Sequence, residues 1–355
     1  MTALPSRRIA VIGAGIAGLA CARTLTQAGE QVTVFEAEAA PGGRVATQDS
    51  PFGGFDSGAQ YFTVRDPRFS KALETTAPGL ARRWSANAVR VLDAAGRQVE
   101  AGRPGPDPHW VASPAMADLP QLWADPLARQ QRLLTPTRIT QLRRDALDTS
   151  LWQLHAEGED GGRQVFSGFH AVLLAVPASD ALRLLIEPGP VQELAEQIRG
   201  IKMAPCWTLM LAFPHAVQPG LQTLGPQWNV ARSTHHRVSW LARESSKPGR
   251  SPIERWTVQA SPEWSQEHVQ DDPQRVTEKL LKAFSEISGI RATPSWSQAL
   301  LWEHARTLDA LGQPFVWDPA LNLGLAGDWC LGARVEDAFV SGLELALECL
   351  KSDSP

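Results

Sequence analysis

Residues 8–12, RIAVI, form a short continuous apolar run rich in β-branched side chains, the pattern of a strand buried on both faces. A glycine-rich turn follows, and the apolar spacing then predicts a helix to about residue 28, ended by Gly29 at the position after its cap. QVTVF at 31–35 is a second strand, closed by Glu36, so the first 36 residues read as a βαβ unit. From 60 to 135 the pattern is irregular, and the Pro/Gly-rich AGRPGPDPHW at 101–110 interrupts any regular element. A hairpin is predicted over 138–156. HAVLLAVPA at 170–178 reads as a fully buried strand returning to the first sheet and stopped by Pro177. RVSWLA and RWTVQA read as strands on either side of a loop at 245–252, SSKPGRSP. Over 271–289 the spacing predicts a helix capped by Asp272, with Pro273 in its first turn, Val276, Leu280, Phe284 and Ile287 on one face, and Gly289 ending it. LNLGLAGD at 321–328 predicts a strand ending in a Gly-Asp turn, followed by a helix from about 335 to 349.

These elements predict an α/β fold. A discontinuous Rossmann-type dinucleotide-binding domain would comprise 1–60, 135–178 and 305–355, and an α+β substrate domain on a mixed sheet would comprise 61–134 and 179–304. At 355 residues and 43% hydrophobic content the chain has material for two cores. A net charge of −4 argues against nucleic acid as a partner, because phosphate binding needs a basic footprint. The pairs Arg82–Arg83 and Arg143–Arg144 read as solvated surface.

The four cysteines form no CxxC pair and suit a reducing cytoplasm. The histidines are scattered, so no metal site is expected, and no nucleophile-elbow motif is present. Arg7 and Arg8 before an apolar run imitate a secretory signal, but the glycines of that run fall at phosphate-loop positions, which makes it mature structure. No apolar stretch of about 20 residues is present, so neither a membrane span nor a membrane partner is expected. Thirteen tryptophans against one tyrosine, Tyr61, admit two readings: core filling, or an aromatic cavity for a flat ligand.

Gly13, Gly15 and Gly18 make a GxGxxG between a strand and a helix. The first glycine permits the tight turn, the second lets a pyrophosphate approach the backbone, and the third allows close packing of helix on strand. Ile16 and Ala17 open the helix, whose N-terminal amides face the phosphates. Glu36 is placed to accept hydrogen bonds from ribose hydroxyls, with Ala37 beside it and Ile139 on the hairpin as a further cofactor contact. The fingerprint does not separate NAD from FAD. A second glycine pair, Gly42 and Gly43, followed at once by Arg44, points to the longer flavin dinucleotide: the loop lies close to the cofactor and the arginine neutralises pyrophosphate charge. Near the end of the chain, Gly327 and Asp328 follow a strand where an aspartate suits the ribityl hydroxyls. Arg334, Val335 and Glu336 then open a helix whose dipole stabilises negative charge on a reduced flavin.

The order GxGxxG with Glu36, then GGR, then GD…RVEDAFVSG resembles the flavin-containing amine-oxidase fold, with a GR2-like FAD-binding domain. Within it, DSGAQYFTVRDPRF at 56–69, LARESSKPGR at 241–250, ASPEWSQEH at 260–268 and the segment from Ala326 resemble the bacterial renalase-like branch over nearly the whole chain. The resemblance implies a non-covalent FAD and an oxidase. Its substrate would be a small molecule, a dihydronicotinamide isomer of NAD(P), with O2 as acceptor and hydrogen peroxide as product. It further implies that Gly58, Ala59 and Gln60 lie by the flavin, and it makes Gln60, Tyr61 and Trp302 pocket candidates. Where that branch carries a basic residue before the tryptophan, this chain has Leu301. An amine oxidase or desaturase of the same fold, or a non-catalytic flavin-binding redox sensor, are the alternatives. A tyrosine pair framing an amine is unavailable, because Tyr61 stands alone.

Overall fold

The computed structural model describes residues 6–85, 89–100, 107–157, 162–185, 191–216 and 228–351. The chain divides into two compact units, Met1–Gly43 with Pro120–Met203 and Thr307–Pro355, and Arg44–Leu119 with Ala204–Arg306.

The first unit is built on a six-stranded sheet ordered Val316–Asp318, Leu323–Leu325, Ala171–Leu174, Arg8–Ile12, Gln31–Phe35, Leu133–Leu134. All neighbours in it run parallel except the first two strands, which are antiparallel. Ile9, Ala10 and Val11, and the whole of Ala171–Leu174, are inaccessible to solvent. That burial explains why these segments are unbroken apolar runs. The helix Ile16–Gln27 follows the glycine turn and ends at Ala28, with Gly29 at φ 96° just beyond it. The helix Val335–Lys351 packs on it so closely that a Cβ on Gly342 would stand 2.0 Å from the carbonyl oxygen of Ala17.

The predicted hairpin is present as Arg138–Arg144 and Trp152–Glu157, and Arg163–Phe169 extends it to a three-stranded antiparallel sheet. The predicted strand at 170–178 is shorter in the structure. Pairing stops at Leu174, and Pro177 caps a helix, Ala178–Leu184, instead of merely ending a strand.

The second unit carries a seven-stranded mixed sheet ordered Trp296–Asp309, Lys202–Phe213, Glu254–Ala260, Val238–Arg243, Val230–Ser233, Arg90–Leu92, Gln98–Glu100. The helix Pro273–Ser288 lays Val276, Leu280, Phe284 and Ile287 into the core formed with this sheet. Asp272 accepts from the amides of Gln274 and Arg275, and Gly289 ends the helix at φ 74°. Both ends are as the sequence predicts.

Two departures concern 60–135, predicted irregular. Helices form at Pro67–Thr76, capped by Asp66, and at Asp118–Arg129. The second contains Pro126, a residue that removes a helical hydrogen bond and reads as a breaker. Its amphipathic burial outweighs that loss, with Leu119, Trp123 and Leu127 all under 4% exposed. Of the predicted loop at 101–110, residues 101–106 lie outside the described residues, and Trp110 already belongs to the strand Trp110–Ala112.

The unit joins also differ from the sequence boundaries. Residues 120–134 cluster with the first unit, because Leu133–Leu134 pairs with Gln31–Phe35. Residues 44–60 cluster with the second. Eight of the thirteen tryptophans are buried, Trp256 and Trp329 at 0% exposure, so core filling accounts for most of them.

Candidate functional site

In the first unit the glycine turn has the geometry a pyrophosphate needs. Gly13 sits at φ 99°, which L-residues rarely adopt, and its amide donates to the carbonyl of Phe35 at 2.8 Å. A Cβ on Gly18 would lie 1.9 Å from the Gly13 carbonyl oxygen, so the helix Ile16–Gln27 can start there only without one. A Cβ on Gly15 would meet nothing within 4 Å. That leaves the backbone at the helix N-terminus open to approach by a phosphate. The second glycine pair lies against this turn: the Gly42 amide donates to the Ala14 carbonyl at 3.0 Å, and Gly15 and Gly42 form a parallel bridge. Ile16 and Ala17 are buried in the first helical turn.

Glu36, 7% exposed, ends the second strand. Its Oε2 accepts from the Ala14 amide at 2.7 Å and its Oε1 from the Glu38 amide at 2.9 Å. Burial pushes its carboxyl above the usual range, while these backbone donors, with that of Ala37, oppose the rise. Each carboxylate oxygen accepts two hydrogen bonds, so capacity remains for ribose hydroxyls. Glu36→Ala is therefore expected to weaken dinucleotide binding by about 1–3 kcal/mol, read as flavin lost on dilution and gel filtration. Ile139 is buried in the adjoining core, next to a register shift in its strand.

At the other end of the same unit the structure inserts a short helix, Asp328–Leu331, before the predicted terminal one. Asp328 is 6% exposed, and Thr307 Oγ1 donates to its Oδ2 at 3.4 Å. The Gly327 amide donates to Ser341 Oγ at 2.9 Å. Val335 and Glu336 are buried at the start of the terminal helix, whereas Arg334 is exposed and its amide donates to Asp337 Oδ2 at 3.0 Å.

In the second unit the sequence candidates converge on the turn 56–60. The amides of Ser57 and Ala59 donate to the carbonyls of Ala46 and Arg44, at 3.1 and 2.9 Å. Three consecutive carbonyls of the turn each receive a side chain: Asp56 from Gln60 Nε2, Ser57 from Trp302 Nε1 at 2.9 Å, and Gly58 from Gln259 Nε2 at 2.8 Å. The polar ends of Gln60 and Trp302 thus turn to the backbone. Arg44 Nη1 reaches the Ala305 carbonyl at 3.5 Å. Next in the chain, Tyr61 stacks on His109, with centroids 3.8 Å apart, and on Trp240 at 5.8 Å, the planes within 28° in each case. Leu301 packs into the core formed with the helix Pro273–Ser288, and strand alternation sends Trp302 to the opposite face. A cation at 301 would therefore not share that face.

Sequence reading missed a buried ionic cluster behind the turn, because SSKPGRSP has the composition of a surface loop. Lys247, fully buried, donates to Asp56 Oδ2 at 2.8 Å, Glu244 Oε1 at 2.9 Å and Gln60 Oε1 at 3.2 Å. Arg250 Nη2 donates to Asp56 Oδ2 at 2.7 Å. Burial raises the Asp56 carboxyl, but Lys247 and Arg250 outweigh it and hold the group below the usual range. Burial pushes Glu244 up, and Lys247 offsets only part of the rise. The sequence carries no signal for this cluster, since a lysine and an arginine three residues apart in a small, polar loop read equally as solvated surface. Among the described residues no group of three or more His, Cys, Asp and Glu is placed to hold a metal, and no helix is long and apolar enough to cross a membrane.

A family model for an NAD(P)-binding Rossmann-like domain matches residues 11–75, and one for flavin containing amine oxidoreductases matches 104–350. The chain belongs to the flavin containing amine oxidoreductase family. This makes it an oxidoreductase with FAD as its cofactor, and the open cradle above Gly15 with the buried Glu36 fits that dinucleotide. Among curated relatives it is 46% identical to a hydroxyneurosporene desaturase of Cereibacter sphaeroides over 59 residues, 17% of this chain and 12% of that one. It is 38% identical to the chloroplastic/mitochondrial protoporphyrinogen oxidase 2 of Arabidopsis thaliana over 72 residues, 20% of this chain and 14% of that one. These matches span only a small part of the relatives' length.

Solved structures resemble the family member along its whole length. A putative protoporphyrinogen oxidase from Exiguobacterium sp. 255-15 superposes with a TM-score of 0.76 at 13% identity, covering 98% of this chain and 100% of that one. The cyclohexylamine oxidase of Brevibacterium oxydans IH-35A superposes with a TM-score of 0.70 at 15% identity, covering 98% and 99%. At such identities the likeness is one of fold.

Proposed function

We propose that this protein is an FAD-dependent oxidase of the renalase-like kind, taking a hydride from a dihydronicotinamide isomer of NAD(P). The observation that carries this reading is the set of near-parallel rings Tyr61, His109 and Trp240, the first of which directly follows the 56–60 turn in the chain. Such a set suits a flat heteroaromatic substrate, which stacks offset on aromatic faces. Bound FAD would supply a two-electron acceptor, with O2 as the terminal oxidant reduced to hydrogen peroxide. The chain's own residues bind and orient. Gly13, Gly15, Gly18, Glu36, Ala37, Gly43, Arg44 and Ile139 serve the dinucleotide, and Gly58, Ala59, Gly327, Asp328, Arg334, Val335 and Glu336 serve its flavin end. Orientation supplies most of what such a reaction needs, because a dihydropyridine donates hydride without prior deprotonation.

FAD is held without a covalent bond in this reading. Cys330, beside Asp328, is fully buried, and burial pushes its thiol up to about 12, far from the reactive thiolate.

The test is anaerobic stopped-flow bleaching of the bound flavin. The 2- and 6-dihydro isomers of NAD(P) are expected to bleach it rapidly, with peroxide appearing on admission of air, and monoamines slowly or not at all. Faster bleaching by a monoamine than by every dihydronicotinamide would replace this reading with an amine oxidase. The fold likeness to a putrescine oxidase and a cyclohexylamine oxidase makes amines the right comparison arm.

A further inference from the structure

The buried cluster of the second unit is larger than an ion pair needs. Lys247 has both side-chain carboxylate partners, Asp56 and Glu244, within 2.9 Å, yet a third bond runs from its ammonium to the neutral amide oxygen of Gln60. That bond settles which way the Gln60 amide faces. With Oε1 held by a cation, Nε2 can only point away from it, toward the carbonyls of Asp56 and of Gly58, the latter at 3.2 Å. Lys247, Gln60 and the carbonyls of Asp56 and Gly58 therefore form one chain of hydrogen bonds, polarised from a buried positive charge. Gln259 and Trp302 hold the same turn from the neighbouring strands, but neither sets the orientation of Gln60.

We propose that Lys247 is a positioning residue: through Gln60 it fixes the backbone of the 56–60 turn in the conformation that faces the flavin. This rests on the reading above that Gly58, Ala59 and Gln60 lie at the flavin end of the site. Buried ions contribute little net stability compared with apolar residues of similar size, which is compatible with a role in geometry.

Lys247→Met alone leaves Asp56 and Glu244 short of a cation, so the test pairs it with Glu244→Gln, which keeps the net charge of the cluster unchanged. FAD affinity of the reconstituted protein, the visible spectrum of the bound flavin and its midpoint potential are measured in wild type, Glu244→Gln, the double variant and Gln60→Met. Gln60→Met leaves both ion pairs intact and breaks only the link to the turn. The double variant and Gln60→Met are expected to share a weakening of FAD binding of about tenfold or more, with a shifted flavin band and a moved potential. Glu244→Gln alone is expected to match wild type.

Wild-type spectra, potential and FAD affinity in Gln60→Met overturn the proposal. So does an effect in the double variant that Gln60→Met does not reproduce, which would mark Lys247 as a purely structural ion. If the double variant does not fold, Lys247→Arg, which keeps the charge but moves the donor, takes its place: a flavin shift shared with Gln60→Met supports the proposal, and wild-type behaviour overturns it. None of these readouts needs a substrate, so failure of the dihydronicotinamide test leaves the proposal standing, and its own failure leaves that test intact.

Discussion

Asp56→Ala is expected to destabilise the protein by about 3–5 kcal/mol, the cost of breaking a buried ion pair by removing one partner. Asp56 is inaccessible to solvent and accepts from four donors: Thr47 Oγ1 at 2.8 Å, the Met116 amide at 3.1 Å, Lys247 Nζ at 2.8 Å and Arg250 Nη2 at 2.7 Å. Alanine would leave Arg250 without this carboxylate and Lys247 with Glu244 alone, a group that burial already pushes toward its protonated form. Denaturant unfolding followed by tryptophan fluorescence gives the difference. An unfolding midpoint equal to wild type would show that water reaches the cluster and solvates the two cations.

The same experiment has a pH signature. The folded Asp56 carboxyl titrates below its ordinary value, so its contribution is present above the unfolded pKa of about 3.9 and is lost as pH falls through the folded value. The gap between wild type and Asp56→Ala is expected to be widest near neutrality and to close in acid. Glu244 has the opposite sign. Its folded pKa is raised, so its ionisation costs stability as pH rises above the unfolded value.

Gly18→Ala is expected to abolish FAD retention. The added methyl would stand 1.9 Å from the Gly13 carbonyl oxygen and 3.2 Å from the Ala175 side chain. Neither Gly13 nor the helix has room to give, since the Gly13 amide is tied to Phe35 and the helix is packed at backbone distance on Val335–Lys351. Overpacking of this kind costs about 1–3 kcal/mol and displaces the helix N-terminus from the phosphates. Gly15→Ala is the informative partner. Its methyl would meet no protein atom within 4 Å, so the apoprotein should be as stable as wild type while FAD binding falls. Equal flavin content in Gly18→Ala and wild type after gel filtration would show that the dinucleotide does not use this turn.

The strand, glycine turn and helix that open the chain were legible from residue order alone because their geometry is local. Gly13, Gly15, Gly18 and Glu36 lie within one βαβ unit, where strand length, turn glycines and the acid are set by short-range geometry. The helix Pro273–Ser288 was legible for the same reason, its caps and apolar stripe being contiguous. The helix Asp118–Arg129 was not, since Pro126 opposes it locally and only burial of Trp123 and its neighbours against distant residues outweighs that preference.

Apart from the local bonds of Gln60, the clamp on the 56–60 turn depends on long-range contacts. Lys247 lies 191 residues from Asp56, and Trp302 lies 245 residues from Ser57. Nothing in the composition of SSKPGRSP distinguishes a buried cation from a solvated one. A charge enters a protein interior only where distant partners are already in place to receive it, and that condition is set by the folded chain.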